Sequence, residues 1–219
     1  MSSAAPLRPP PCRRAAWARL VALVVLGGCS LLQRTPPIDE RINLIAVMPI
    51  EREEPVDAPT NAEHPRLKPG AQKVVTAQIY SVLASSSKWR FVPDLTVTQA
   101  LPKIDSKGGL QSRARDLGKA VGADAVLFGT VSRYKDREGS EYGATEPASV
   151  AFTLSLVSVA TGKVLWTRTF NETQQSLSSN LFNWWQFWRG GPRWFTAEEF
   201  THLGVERLLD DLSDQLGLE

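Results

Sequence analysis

The sequence predicts an α/β domain: a mixed sheet covered by helices, in the order β-α-β-α-α-β-β-β-α, with an aromatic-rich insertion before the last helix. Three observations carry this. The runs NLIAVMPI (43–50) and ADAVLFGTV (123–131) are apolar without alternation, as strands buried on both faces are. The stretch SVAFTLSLVSVATGKVLWTRTF (149–170) alternates on either side of a Thr-Gly turn, as a hairpin does. Between and after these runs lie segments whose apolar residues recur at helical spacing, so helices must cover the sheet.

The elements follow in chain order. Strand 43–50 is followed by EREEPVDAPTNAEHPRLKPG (51–70), a polar loop with four prolines. Val74, Val75, Gln78, Ile79, Val82 and Leu83 mark an amphipathic helix over 70–85. KWRFVP (88–93) reads as a short strand, and 95–102 and 110–121 as two helices, the second ending at Gly122. In the hairpin, Val150, Phe152, Leu154 and Leu156 share one face, and Val164, Trp166 and Phe170 recur at even spacing on the returning strand. Gly162 can take the positive φ that the turn asks for. Thr196-Ala-Glu-Glu199 is a capping box, and Phe200, Leu203, Leu208, Leu212 and Leu216 give the helix behind it one apolar side. No internal repeat is evident.

The N-terminus sets the compartment. In RPPPCRRAAWARLVALVVLGGC (8–29), arginines precede the apolar run 20–26, which is followed by Gly27, Gly28 and Cys29. This is the layout of a secretory signal, and the run is too short to span a bilayer as a helix. Leu26-Gly27-Gly28-Cys29 resembles the lipobox of bacterial lipoproteins. The resemblance implies cleavage between Gly28 and Cys29 and lipid attachment at Cys29, with the alternative a buried helix and an ordinary cysteine. Several acyl chains hold a protein durably at a membrane. By analogy with the sorting rule of enteric bacteria, Ser30 favours the outer membrane, facing the periplasm. Residues 1–28 are then the signal, 29–41 a lipidated tether, and 42–219 a single domain.

Composition excludes several functions. Of 25 basic residues, Arg8, Arg13, Arg14 and Arg19 precede position 29, leaving 21 against 23 acids. The remaining cations are scattered, which argues against nucleic acid as a partner. Cys12 leaves with the signal and Cys29 is taken by lipid, so no thiol remains for a disulfide, metal or nucleophile. Two histidines, His64 and His202, make a poor zinc set, and no nucleophile elbow or phosphate-cradling loop occurs. The acid pairs Glu53-Glu54, Glu198-Glu199 and Asp210-Asp211 read as a solvated loop, a helix start and the polar face of a helix. The expectation is a non-catalytic protein without cofactor or metal.

NLIAVMPI, LGKAVGADAVLFGTVSRY and FTLSLVSVATGKVLWTRTF together resemble the domain shared by CsgG-type curli-secretion lipoproteins, PelC-like exopolysaccharide-export lipoproteins, LpoB-type activators of penicillin-binding proteins and the N-terminal domain of TolB. The likeness covers roughly residues 42–172. It implies an envelope protein that binds other proteins, several relatives forming rings, rather than an enzyme. It does not extend to a CsgG-like pore, because RYKDREGSEYGATEPAS (133–149) is charged and poorly alternating. The implied function is an adaptor or ring subunit of an envelope assembly, secretion or polysaccharide-export system. The alternatives are an activator of a peptidoglycan synthase and a periplasmic enzyme with an unrecognised site.

NLFNWWQFWRGGPRWF (180–195) crowds Trp184, Trp185, Trp188 and Trp194 together with Arg189 and Arg193, out of seven tryptophans in the chain. Three readings stay open: a lid completing the core, an interface with a protein partner or second copy, and contact with the membrane surface. Tryptophan and arginine are enriched at binding hot spots. The indole also suits the headgroup zone of a bilayer, where the arginines would meet phosphate.

Overall fold

Two consecutive strand segments lie along the same side of a long central strand in the computed structural model, which describes residue 38 and residues 41–53, 67–105, 107–174 and 193–218. They are β1 (Ile45–Val47) and β2 (Glu51–Arg52), both parallel to β3 (Ala125–Lys135). Pro49 lies in the break between them, since proline has no N–H to give to the ladder. Met48 keeps its bond, donating to the Leu127 carbonyl at 2.8 Å. β6 (Ser149–Ser158) and β7 (Val164–Thr173) add antiparallel on the far side, giving the sheet order β1-β3-β6-β7. A short hairpin, β4 (Glu138–Ser140) with β5 (Gly143–Glu146), stands between β3 and β6 and holds the exposed Tyr142. This hairpin is absent from the predicted order, because its charged strands lack an apolar face to read.

The helices divide between the two faces of the sheet. α1 (Ala71–Ser85) and α4 (Ala197–Leu216) cover one, burying Val75, Ile79, Phe200, Leu208 and Leu212 against Val47, Leu127, Val150, Phe152, Leu154, Leu156, Trp166 and Phe170. α2 (Asp94–Ala100), the 3₁₀ turn Leu101–Lys103 and α3 (Leu110–Val121) cover the other face at the β1–β3 end, where Val97, Ala114 and Leu117 meet Ala46, Met48, Val126 and Phe128. Alternate residues of 45–48 therefore enter separate cores, the meaning of an unalternating apolar run. KWRFVP forms an isolated parallel bridge between Phe91 and Ile45 and no longer strand.

Local choices agree with these packings. Gly122 ends α3 at φ 71°, and Gly162 turns the β6–β7 hairpin at φ 72°. Arg115 grips that turn, donating to the carbonyls of Val159 and Ala160 at 3.0 Å each. Asp124, of the motif GADAV, accepts from the N–H groups of Asn43 and Leu44 at 2.9 and 3.0 Å, fastening the entry of β1 to that of β3. The capping box forms as its sequence predicts, with Thr196 and Glu199 each satisfying the other's backbone N–H. Val164 departs from expectation: it is 41% exposed while Trp166 and Phe170 are buried. An irregularity in register between Leu156 and Val157 shifts the even spacing beside the turn. Among the described residues, no helix is long and apolar enough to cross a membrane.

Candidate functional site

The Trp-rich insertion, 180–195, lies between β7 and α4, and one side chain, that of Gln174 just past β7, bonds the last residues of the insertion. Gln174 is 1% exposed. Its backbone N–H donates to the Ala148 carbonyl, continuing the ladder past β7. Its amide Nε2 donates to the Arg193 carbonyl at 3.0 Å, and its Oε1 accepts from the Phe195 N–H at 2.8 Å. The amide thus bonds the backbone on either side of Trp194 as a neighbouring strand would. Gln174 and Arg193, which flank an 18-residue stretch, are thus held together, so the loop-closure entropy is met by contacts outside that stretch.

The β4–β5 hairpin completes the anchorage. Trp194 N–H donates to the Glu141 carbonyl at 2.7 Å, and the Trp194 carbonyl accepts from Arg137. Asp136 accepts from the Ala197 N–H at 2.9 Å, supporting the first turn of α4. Arg193 lies 2.7 Å from Glu199 and 3.9 Å from Glu141, with its guanidinium carbon 5.4 Å from the centre of the Phe195 ring. The bond to Glu199 stabilises the charged guanidinium and raises its pKa. Burial works to raise the Glu199 carboxyl, but bonds from Thr196 and Arg193 outweigh it and leave the group below its usual range.

Beside this anchorage, a groove of about 430 Å³ runs between α1 and the start of α4, lined by Gln78, Phe195, Thr196, Glu198, His202 and Leu203 among others. Gln78 links the helices, donating to Glu198 at 3.0 Å and accepting from His202 Nδ1 at 2.8 Å. His202 Nε2 lies 3.9 Å from Glu206. Tyr134, on β3 nearby, has its phenol pushed up to about 12 by burial first, then by Asp136 and Glu198. These groups support one another and present no paired nucleophile and base. Among the described residues, no group of three His, Cys, Asp or Glu side chains is placed to hold a metal.

Of the residues singled out from sequence, Arg193 and Trp194 lie together at this anchorage, with Arg193 engaged inside the molecule and Trp194 half-buried. Gly28, Cys29, Trp184, Trp185, Trp188 and Arg189 lie outside the described residues, as do His64 and Glu54. Asp211 does more than face solvent: its Oδ2 accepts from Trp166 Nε1 at 2.8 Å and from Arg168 Nε at 3.1 Å. The apolar side of α4 is spent on the core. Sequence reasoning missed Gln174, Asp136 and Glu141. A buried glutamine that imitates a strand has no local pattern, and its only trace is a polar residue at the last position of an alternating run.

A family model described as the peptidoglycan-synthase activator LpoB matches residues 71–172. No curated protein matches significantly. Among solved structures, the PelC dodecamer from Paraburkholderia phytofirmans is 17% identical, covering 81% of this chain and 91% of that one, with a TM-score of 0.44. The C-terminal domain of LpoB from Salmonella enterica is 19% identical, covering 71% and 94%, with a TM-score of 0.39. Lipoprotein GNA1162 from Neisseria meningitidis is 18% identical, covering 80% and 99%, with a TM-score of 0.44. From α1 to near the end of β7 the chain resembles that family model in sequence, and the structure is a mixed sheet with helices on both faces.

Proposed function

We propose that this chain is a non-catalytic lipoprotein of the outer membrane, facing the periplasm, that acts as an adaptor by docking an envelope protein. The docked partner is a peptidoglycan synthase. The match of residues 71–172 to a family of synthase activators carries this reading. The mechanism has two parts. Acyl chains on Cys29 hold the domain near the bilayer, through a tether of about a dozen residues reaching at most ~40 Å. Tethering raises the effective concentration of the domain for any partner within that reach. Recognition then belongs to the Trp-rich insertion, whose anchorage by Gln174 and the β4–β5 hairpin presents it from a fixed point. A preorganised anchor lowers the ordering cost that binding must meet.

The test has two arms. In cells fed radioactive palmitate, the wild-type chain takes up label and sediments with membranes, while Cys29→Ser is unlabelled and soluble. Added to a purified peptidoglycan synthase, the full-length chain speeds glycan polymerisation several-fold. Label persisting in Cys29→Ser contradicts the anchor, and unchanged synthase rates contradict the choice of partner.

A further inference from the structure

β7 is an edge strand, and we propose that it is the site at which a second copy of this chain adds, antiparallel about a two-fold axis through Phe170, to make one continuous sheet. Among the described residues, β7 has a single sheet neighbour, β6. Which backbone groups face outward follows from the ladder. Gln174 N–H donates to Ala148, in register with the pairing of Ser149 and Thr173. Antiparallel pairs alternate, so residues 166, 168, 170 and 172 spend their backbone groups on β6. Thr167, Thr169, Asn171 and Thr173 then turn their N–H and C=O groups to the open edge.

Native edges are blunted by charged side chains, by bulges, by a covering segment, and above all by lysine and proline. WTRTFNET (166–173) contains neither residue, and the irregular register lies back at the turn. The side chains of Thr167, Thr169, Asn171 and Thr173 are exposed, on the sheet face opposite α4. They already run as a polar ladder across to β6, with Ser149–Thr173 at 2.6 Å and Thr153–Thr169 and Ser155–Thr167 at 2.9 Å.

Self-complementarity names the occupant and the register. With Phe170 on the axis, Thr169 faces Asn171 of the other copy and Thr167 faces Thr173. All four outward-bonding residues meet outward-bonding residues, and the polar ladder continues across the join. On the opposite face, Arg168 then stands across from Glu172 of the other copy, twice over. Sliding by two residues either way removes this pairing, and sliding by four sets Arg168 against Arg168 or Glu172 against Glu172. Opposite charges across a ladder stabilise and like charges destabilise, so one register is selected. Arg168 and Glu172 keep the partners they already have, Asp211 and Arg207 among them, which become part of a shared network. α4 lies over β6 and β7, so two copies would set their α4 helices about 10 Å apart, a normal helix-packing distance.

The test uses the full-length chain with Cys12→Ser and Cys29→Ser, leaving an introduced thiol as the only one. Thr169→Cys and Asn171→Cys are made separately, purified, and oxidised either alone or mixed. Facing pairs fall within disulfide reach and the two-residue offset does not. The mixture is expected to give several-fold more disulfide-linked dimer than either variant alone. Arg168→Glu should reduce that dimer and Arg168→Glu with Glu172→Arg should restore it. Equal linking by each variant alone, no linking in the mixture, or a cysteine-free chain that sediments as a monomer would each overturn the pairing. Neither arm depends on lipid or synthase, so failure here leaves the docking reading standing.

Discussion

Gln174 shows how much one polar side chain can decide. Truncating it removes the bond to the buried Phe195 N–H and the bond to the half-buried Arg193 carbonyl. Gln174→Ala should cost about 2–4 kcal/mol, because unsatisfied buried groups carry their full desolvation penalty. Urea unfolding would read this as a lowered midpoint. Charge at the same anchorage gives a pH signature. Glu199 is held below its usual range, so its contribution is complete above the unfolded value of about 4.3 and is lost as pH falls through the folded value. Acid unfolding of Glu199→Gln should be less steep than wild type below about pH 4.3. Tyr134 works in the opposite range. Its neutral phenol is favoured, so stability is full below about pH 10 and is lost as pH rises towards about 12. Tyr134→Phe should lose less stability across that alkaline window.

Elements were legible in the sequence where a period or a cap announced them. The capping box marks the start of α4 and the Gly122 stop marks the end of α3, since each is a local hydrogen-bond requirement. The hairpin face of Val150, Phe152, Leu154 and Leu156 follows from alternation alone, and all four are buried. What stayed hidden depends on contacts between distant residues. The displaced Val164 comes from a register irregularity, and the β4–β5 hairpin has no apolar face. The role of Asp211 needs Trp166, 45 residues away, and that of Gln174 needs Arg193. Gly204, buried in α4, is another such case. A Cβ there would sit 2.9 Å from ring carbons of Phe170, which is packed between Phe152 and Phe200. Alanine gains about 1 kcal/mol in helix propensity, yet overpacking costs about 1–3 kcal/mol. Gly204→Ala should therefore lower the melting temperature, whereas alanine at the exposed helix position Asp210 should leave it nearly unchanged.

At the scale of the whole molecule, the described residues form a core on each face of the sheet. On the proposed reading the tryptophans at 184, 185 and 188 serve recognition. Changing Trp184, Trp185 and Trp188 together to serine should weaken partner binding more than tenfold while the melting temperature holds. A large fall in melting temperature would assign them to the core instead. The central claim is that this protein works by holding a partner at the membrane. Crosslinking in intact cells from a photoreactive residue at position 185, followed by mass spectrometry of the adducts, tests it most directly. The account predicts one dominant adduct, a peptidoglycan synthase, lost in Cys29→Ser. Adducts to lipid alone, or an undiminished synthase adduct from the unlipidated chain, would contradict it.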